Sequence, residues 1–263
     1  MKCILKNQFI LFVNCIIILI LTSHPLMAHD MWLEVRDYTP EPGEEINIVI
    51  AYDHHFPTRE FMNPNDLEEI FLCNNKGDKT GFNNFSEVEL KTQKPLKTAG
   101  TYIVAAKNKG GFFSKTTEGY KKGYTKKDLK DVISCGYYAK YSKAVVNAGK
   151  PGGSAFLNPI GHDLEIIPMS DPGTLKQGEF LPIKVLLKGN PLPSSLVTAT
   201  YIGFSTDKNT FAYATKTDKK GTANIKMLNS GIWLITTSYM EDYPDAKICD
   251  EQKLSASLTF EIR

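Results

Sequence analysis

Hydrophobic and polar positions alternate in the first part of the chain, in short runs that turn residues separate. The alternation is clearest at Ile46, Ile48 and Ile50, within INIVIAY, and the earlier run MWLEV lies before the turn sequence TPEPGEE. Strict alternation over about four to eight residues is typical of a half-buried β-strand. The later segments FMNPNDLEEIFLCNNKGDKTG and LKTAGTYIVAAKNKGGFF repeat the arrangement of strand and turn. This part of the chain is therefore predicted to be a β-sandwich.

The second half of the chain has the same pattern. Strand-like runs with turn signals about every ten residues are typical of an all-β sandwich, and they include EFLPIKVLLKG, LVTATYIGF, GIWLITTSYM and SASLTFEIR. The segment NAGKPGGSAFLNPIGH, rich in Gly, Pro, Asn and Ser, separates the two halves. We therefore predict an all-β protein of two β-sandwich domains, residues 29–160 and 161–263.

Residues 114–147 are the one part of the chain with a helix-like pattern. Tyr137, Tyr141 and Val145 recur there at spacings of four, which would place them on one helical face. Gly136 weakens a helix by about 1 kcal/mol relative to alanine, and an irregular loop with one helical turn is the alternative. We predict a short helical insertion between the strands.

The N-terminus has the pattern of a targeting segment. Residues 1–28 combine Lys2 and Lys6 with the apolar run FILFVNCIIILIL, and they end in Leu-Met-Ala. This arrangement is typical of a secretory signal peptide cleaved after Ala28. The apolar run is shorter than the roughly 20 residues that a membrane-spanning helix needs, and no later segment is long or apolar enough. We expect an exported protein, periplasmic in a cell with two membranes, that begins at His29 and has no membrane span.

Cleavage would also change the charge of the chain. The sequence has 31 Lys and Arg against 29 Asp and Glu, and two of the lysines lie in residues 1–28. The mature chain would be formally neutral, so its charge gives no reason to expect a nucleic acid or an acidic membrane surface as a partner.

Cys73, Cys135 and Cys249 would remain after cleavage. In an oxidising compartment this odd number indicates one disulfide and one free thiol, with three alternative pairings. We favour Cys135 with Cys249, a bridge that would attach the C-terminal segment to the middle of the chain. Three buried free thiols are the alternative.

Four histidines, His29, His54, His55 and His162, are the candidate metal ligands of the mature chain. An N-terminal histidine can chelate one ion through its α-amine and its ring, and one more imidazole completes a T-shaped set of three nitrogens that suits Cu(II) or Ni(II). His54 and His55 directly follow a predicted strand, so a loop could bring one of them over the sheet end. His162 lies at the predicted domain boundary, where ligand sites often occur. The alternatives are surface histidines and, for His162, a turn residue bonded to backbone.

Asp30 and Asp53 lie beside these histidines and could bind the metal or orient the rings, although each could equally be a turn or strand-end residue. The sequence contains none of the common catalytic motifs, namely Gly-x-Ser-x-Gly, His-Glu-x-x-His, a phosphate-binding glycine loop or Cys-x-x-Cys. The lysine cluster KKGYTKKDLK is typical of a solvated surface. We therefore predict no catalytic residues.

Several segments, in order along nearly all of the mature chain, resemble domain-of-unknown-function family 4198. They are AHDMWLE, YDHHFP, AGTYIVAAKNKGGFFSKT, SCGYYAKYSKAVV, GHDLEIIPMSDPGTLKQGEFLPIKVLLKGNPL, TDKKGTANIKMLNSGIWLITTSY and CDEQKLSASLTFEIR. The resemblance implies a β-sandwich followed by an immunoglobulin-like or prealbumin-like domain, and a role in periplasmic nickel and cobalt uptake. The family usually has YGHxFP where this chain has YDHHFP, which aligns the family histidine with His54. Asp53 then replaces a glycine, and His55 is additional.

We therefore predict a periplasmic protein that captures Ni(II) or Co(II), with Cu(II) and Zn(II) as the next candidates. It would pass the ion to an inner-membrane transporter. One alternative is a copper histidine-brace oxidase acting on glycans, for which Trp32 would contribute to an aromatic substrate face. Another is a metal-free carbohydrate-binding or adhesive module, in which tyrosines of the middle segment would supply the stacking surface.

Overall fold

The computed structural model describes residues 29–57 and 60–263, so the predicted signal peptide lies outside the described residues. Within these ranges the chain forms β-strands and three single-turn 3₁₀ helices, Pro64–Asp66, Ala155–Leu157 and Pro172–Thr174, with no α-helix. None of the described helices is long and apolar enough to cross a membrane. The prediction of an all-β protein is confirmed.

Eighteen strands follow one another along the described chain. They are β1 (Asp30–Val35), β2 (Asn47–Asp53), β3 (Leu67–Cys73), β4 (Lys79–Thr80), β5 (Phe82–Asn84), β6 (Glu89–Thr92), β7 (Gly100–Asn108), β8 (Gly111–Thr116), β9 (Gly119–Lys122), β10 (Val132–Ala148), β11 (Leu164–Pro168), β12 (Phe180–Leu187), β13 (Asn190–Pro191), β14 (Leu196–Tyr201), β15 (Tyr213–Lys216), β16 (Thr222–Lys226), β17 (Gly231–Asp242) and β18 (Glu251–Ile262).

The strands form three sheets. The N-terminal sheet has the order β1-β2-β6-β5, and the C-terminal sheet contains β11, β12, β13 and β16. The central sheet has ten strands in the order β15-β14-β17-β18-β10-β7-β3-β4, with β8 and β9 attached beside β10. Strands β10 and β18 pair in parallel, from Gly136 opposite Glu251 to Ala144 opposite Thr259. This one parallel pair joins strands from the two halves of the chain into a single sheet.

The two small sheets cover opposite faces of the central sheet. Val145 belongs to the hydrophobic core shared with the C-terminal sheet, while its neighbours Ala144 and Val146 belong to the core shared with the N-terminal sheet. Successive residues of a strand point to opposite faces, so the two cores lie on either side of β10. The β-sandwich class is confirmed as a three-layer arrangement around a shared sheet, and the domain boundary at residue 160 stays a prediction.

The predicted helical insertion is wrong, because residues 132–148 form the long strand β10. A spacing of four places side chains on one face of a strand as well as on one face of a helix. Tyr137, Tyr141 and Val145 accordingly all face the core under the C-terminal sheet. The β-branched and aromatic residues of this segment favour the strand.

The predicted disulfide between Cys135 and Cys249 is confirmed, with Cα atoms 4.9 Å apart. Cys135 lies near the start of β10, and Cys249 lies just before β18. The backbone N–H of Cys135 also donates to the Asp250 carboxylate, at 2.8 Å. The bridge therefore holds together the two strands that pair in parallel. Cys73 is free and half-buried.

A buried ion pair connects the central sheet to the C-terminal sheet. Lys143 Nζ on β10 lies 3.0 Å from Glu165 Oε1 on β11, and both side chains are only 2% exposed. The same carboxylate accepts the backbone N–H of Ile160 at 2.9 Å. Burial lowers the pKa of Lys143, while Glu165 opposes that shift. Each charge depends on the other, because neither can reach water.

We expect Glu165→Gln to lower the free energy of unfolding by about 3–5 kcal/mol, because it leaves the Lys143 ammonium buried without its counter-charge. Urea unfolding of the oxidised protein measures the change. The control is Glu118→Gln at the exposed ion pair with Lys121, where N and O are 3.8 Å apart and the expected cost is about 0–1 kcal/mol. Equal changes in the free energy of unfolding would show that burial does not make loss of the Lys143–Glu165 pair more costly than loss of an exposed pair.

Candidate metal site

The start of β1 lies opposite the end of β2. The strands are antiparallel, with Asp30 opposite Asp53 and Met31 opposite Tyr52. This register places His29, the residue just before β1, beside the loop that follows β2. Residues at the predicted cleavage point and residues of the YDHHFP segment therefore meet at one end of the N-terminal sheet.

The ring of His29 contacts two aromatic rings at this end. Its centroid is 4.3 Å from that of His54, with 28° between the ring planes. The centroid of Tyr52 lies 5.0 Å away, at 17°. The structure thus brings together His29 and His54, which the sequence suggested as partners.

Two carboxylates complete the cluster around His29. One potential ligand atom from each of His29, Asp53 and Glu60 lies within 4.8 Å of the other two. Asp53 is buried, whereas Glu60 is exposed. The backbone explains the approach, because Tyr52 N–H donates to Glu60 O at 3.1 Å and Ala51 pairs with Phe61. The chain turns back on β2 and so carries Glu60 to the cluster.

Asp53 also contacts the backbone of His54 and the ring of His55. Its Oδ1 accepts the backbone N–H of His54 at 2.6 Å and lies 3.3 Å from His55 Nδ1. A carboxylate that holds one ring nitrogen fixes the tautomer and leaves the other nitrogen available to a ligand. Asp53 therefore combines the two roles suggested for it, potential ligand and orienting group.

A small cavity lies beside these residues and is closed by the second half of the chain. It measures about 30 Å³, and its polar lining includes Asp53, His54, His55, Ser205, Asp207 and Thr210. Residues 202–211, between β14 and β15, contact the histidine loop through a hydrogen bond from Asn209 N–H to His54 O at 3.3 Å. Since one water needs at least about 10–15 Å³, the cavity can hold a hydrated ion's inner waters but not a sugar ring.

Trp32 does not provide an aromatic face at this site. Its side chain is 1% exposed and packs with Ala51, Phe56 and Leu234 in a small core. The ring of Phe56 meets it edge-on, with centroids 5.7 Å apart. Trp32 thus fixes the floor below the histidine loop and has no contact surface for a substrate.

The electrostatic environment favours neutral imidazole. Burial lowers the pKa of His54, and the adjacent His29 lowers it further. A metal ion binds the neutral ring, so a lowered pKa reduces the competition from protons. Nearby, burial raises the pKa of Asp30, against the opposing effect of Lys140 and Lys253. Burial also lowers the pKa of Lys140 to about 8.

His162 is not part of this cluster. It is 6% exposed, and its ring centroid lies 5.0 Å from that of Tyr141. Tyr141 faces the core under the C-terminal sheet, whereas the adjacent Lys140 donates to the His29 carbonyl on the other face of β10. The central sheet therefore separates His162 from the other three histidines. Burial, together with the positive charge of Lys143, lowers the pKa of His162 to about 3.

Comparison with known proteins gives one family and several distant structures. A family model described as "Domain of unknown function (DUF4198)" matches residues 26–241. No curated protein sequence is significantly similar to the chain. The D0-D1 domain of intimin is 12% identical, with 89% of this chain and 100% of that chain covered and a TM-score of 0.22. Murine CEACAM1b is 7% identical, with 89% and 100% covered and a TM-score of 0.23. Similarities this low carry no information about function.

Acid is expected to destabilise the protein through His162. Its folded-state pKa is about 3 against an ordinary 6.5, so the unfolded chain binds the extra proton first. The contribution of neutral His162 is complete above pH of about 6.5 and is lost as the pH falls toward about 3. Between pH 6.5 and 4.5 this amounts to about 2 kcal/mol of unfolding free energy. Urea unfolding at both pH values should show a smaller loss for His162→Gln than for the wild type, and equal losses would contradict the assignment.

Proposed function

The chain belongs to the DUF4198 family, and from this membership and the geometry of its site we propose that it captures a divalent transition metal, nickel or cobalt, for uptake across the inner membrane. The proposal is carried by two observations at one end of the N-terminal sheet: potential ligand atoms of His29, Asp53 and Glu60 lie within 4.8 Å of one another, and the His29 ring stacks on that of His54. His29 is also the residue that cleavage after Ala28 would make the N-terminus.

Export is part of the proposal. Residues 1–28 act as a signal peptide, and its removal in the periplasm gives His29 a free α-amine. The amine and the imidazole then form a chelate on one ion. The finer fold assignment belongs here too, with residues 29–160 and 161–263 as two sandwich domains of immunoglobulin-like or prealbumin-like type. In this arrangement residues 202–211 of the second domain close the site of the first.

The donor set suits a divalent transition metal and does not by itself select nickel or cobalt. His29 and His54 supply nitrogen, Asp53 and Glu60 supply oxygen, and His55 is the next candidate ligand. Imidazole suits nickel, copper and zinc, and none of the soft thiolate ligands of copper(I) is among these donors. Cu(II) binds nitrogen sites more tightly than Ni(II), so selection of nickel depends on site geometry and on the supply of each metal.

Metal binding requires a change in the histidine rings. The rings of His29 and His54 stack at 28°, and the lone pair of an imidazole nitrogen lies in the plane of its ring. Stacked rings direct their lone pairs side by side rather than toward one point. The rings must therefore tilt or separate to share an ion. Their half-buried positions leave room for this movement and suit a site that later releases its ion to a transporter.

The oxidase and the metal-free module are less well supported by the site. A copper oxidase acting on glycans needs an aromatic substrate face around the metal, but Trp32 is buried. A metal-free carbohydrate-binding or adhesive module would need no donor group at this end of the sheet. Both remain outcomes of the experiment below.

We expect the chain that begins at His29 to bind Ni(II) or Co(II) with a Kd below about 1 μM, measured by isothermal titration calorimetry. Acetylation of the His29 α-amine removes the terminal chelate, and Glu60→Gln removes a charged oxygen ligand. Each change is expected to weaken binding at least about tenfold, the lower range for lost metal-site groups. His162→Gln is the matched control and should leave the affinity unchanged.

A mature chain that binds none of Ni(II), Co(II), Cu(II) and Zn(II) would overturn the proposal and leave the metal-free module. Tight binding of Cu(II) together with copper-dependent peroxide consumption on a glycan would favour the oxidase instead. Equal affinity of the acetylated chain would show that the terminal amine is not a ligand.

A further inference from the structure

Strand β1 is held from two sides. It is an edge strand of the N-terminal sheet and pairs with β2 alone. On its other side, side chains of the central sheet donate hydrogen bonds to three backbone carbonyl groups, one just before β1 and two within it. The bonds run from Lys140 to His29 O, from Ser257 to Met31 O and from Thr259 to Leu33 O. An edge strand with such partners is fixed in register on the sheet below it.

The donor at the metal-site end differs from the other two. Ser257 and Thr259 donate through neutral hydroxyls, whereas Lys140 donates through an ammonium group on a side chain that is only 5% exposed. The same ammonium lies 5.4 Å from the centroid of the Tyr52 ring, and Tyr52 in turn stacks on His29. Lys140 therefore contacts the backbone of His29 directly and its ring through Tyr52.

A buried cation beside a cation-binding site is electrostatically unfavourable. The Asp30 carboxylate offsets part of this cost, because it opposes the lowering of the Lys140 pKa by burial, and the hydrogen bond to His29 gives the ammonium group a geometric role as well. A terminal residue is ordinarily poorly ordered, and fixing one residue costs about 1–2 kcal/mol of conformational entropy. A chelate from the amine and ring of the same residue requires its backbone to be held in one orientation.

We propose that Lys140 is a positioning residue for the metal site, which holds His29 so that its amine and imidazole face His54, Asp53 and Glu60. This inference rests on the proposed metal-binding function. It assigns no ligand role to Lys140, because a protonated ammonium group has no lone pair to donate.

Lys253 is the natural comparison for Lys140. Both lysines act electrostatically on the same carboxylate, that of Asp30, but the His29 carbonyl accepts its hydrogen bond from Lys140. Lys140→Met and Lys253→Met therefore remove the same charge near the site, and only the first removes the contact with His29. Ser257→Ala removes a similar hydrogen bond two residues further along the chain, to the carbonyl of Met31.

The test uses calorimetric titration with Ni(II) of the chain that begins at His29. We expect Lys140→Met to weaken binding about tenfold or more, in the range found for groups that orient metal ligands. Lys253→Met should bind as tightly as the wild type or more tightly, and Ser257→Ala should match the wild type. The visible absorption spectrum of bound Co(II) should change for Lys140→Met alone, which a uniform loss of stability would not cause.

Three results would overturn the inference. Lys140→Met could bind as tightly as the wild type or more tightly, which would leave only the charge effect. Ser257→Ala could weaken binding as much as Lys140→Met, which would show a general requirement for β1 docking. The Co(II) spectrum could be the same in all variants. If Lys140→Met does not fold, Lys140→Gln replaces it, and intermediate affinity is expected because the amide is a neutral donor. Failure of the wild type itself to bind metal would instead refute the proposed function.

Discussion

The parallel pairing of β10 with β18 is the constraint on which the rest of this structure depends. It aligns nine residue pairs between the two halves of the chain, and the Cys135–Cys249 bridge lies at the start of both strands. The resulting sheet offers one face to each small sheet. Strand β1 docks on this platform through Lys140, Ser257 and Thr259, one from β10 and two from β18. The position of His29 is thus a consequence of how the two halves are joined.

The same pairing explains why the site is shared between the halves. Strands β14 and β17 continue the central sheet beyond β18, so residues 202–211, which follow β14, lie next to the loop after β2. Two ionisable groups are buried close to His29, where burial makes their charged forms unfavourable. Asp30 and Lys140 are both shifted toward their neutral forms by burial, and proteins retain such groups where a specific arrangement is needed. The proposed metal capture would give a reason for that arrangement, because a terminal chelate would require a fixed His29 more than a favourable local charge.

Local patterns in the sequence were sufficient for some of these features and not for others. Alternation at Ile46, Ile48 and Ile50 predicts strands. The odd number of cysteines in an oxidising compartment predicts one disulfide but leaves three pairings open, of which the favoured one is the one that forms. The pairing of His29 with His54 follows from two adjacent antiparallel strands. The helix prediction failed because Tyr137, Tyr141 and Val145 satisfy both periods. Glu60 is an exposed carboxylate in no motif, and only the return of the chain along β2 brings it to Asp53. The shared central sheet could not be predicted from local patterns either, because the pairing of β10 with β18 joins residues more than a hundred positions apart.

The most direct test of the account is a crystal structure of the chain beginning at His29, grown with Ni(II) and measured at the nickel absorption edge. The account predicts one strong anomalous peak about 2 Å from a ring nitrogen of His29, bounded by His54, Asp53 and Glu60, with the two imidazole rings no longer stacked. A peak at His162 or at scattered surface sites, with the cluster empty and the rings still stacked, would contradict it.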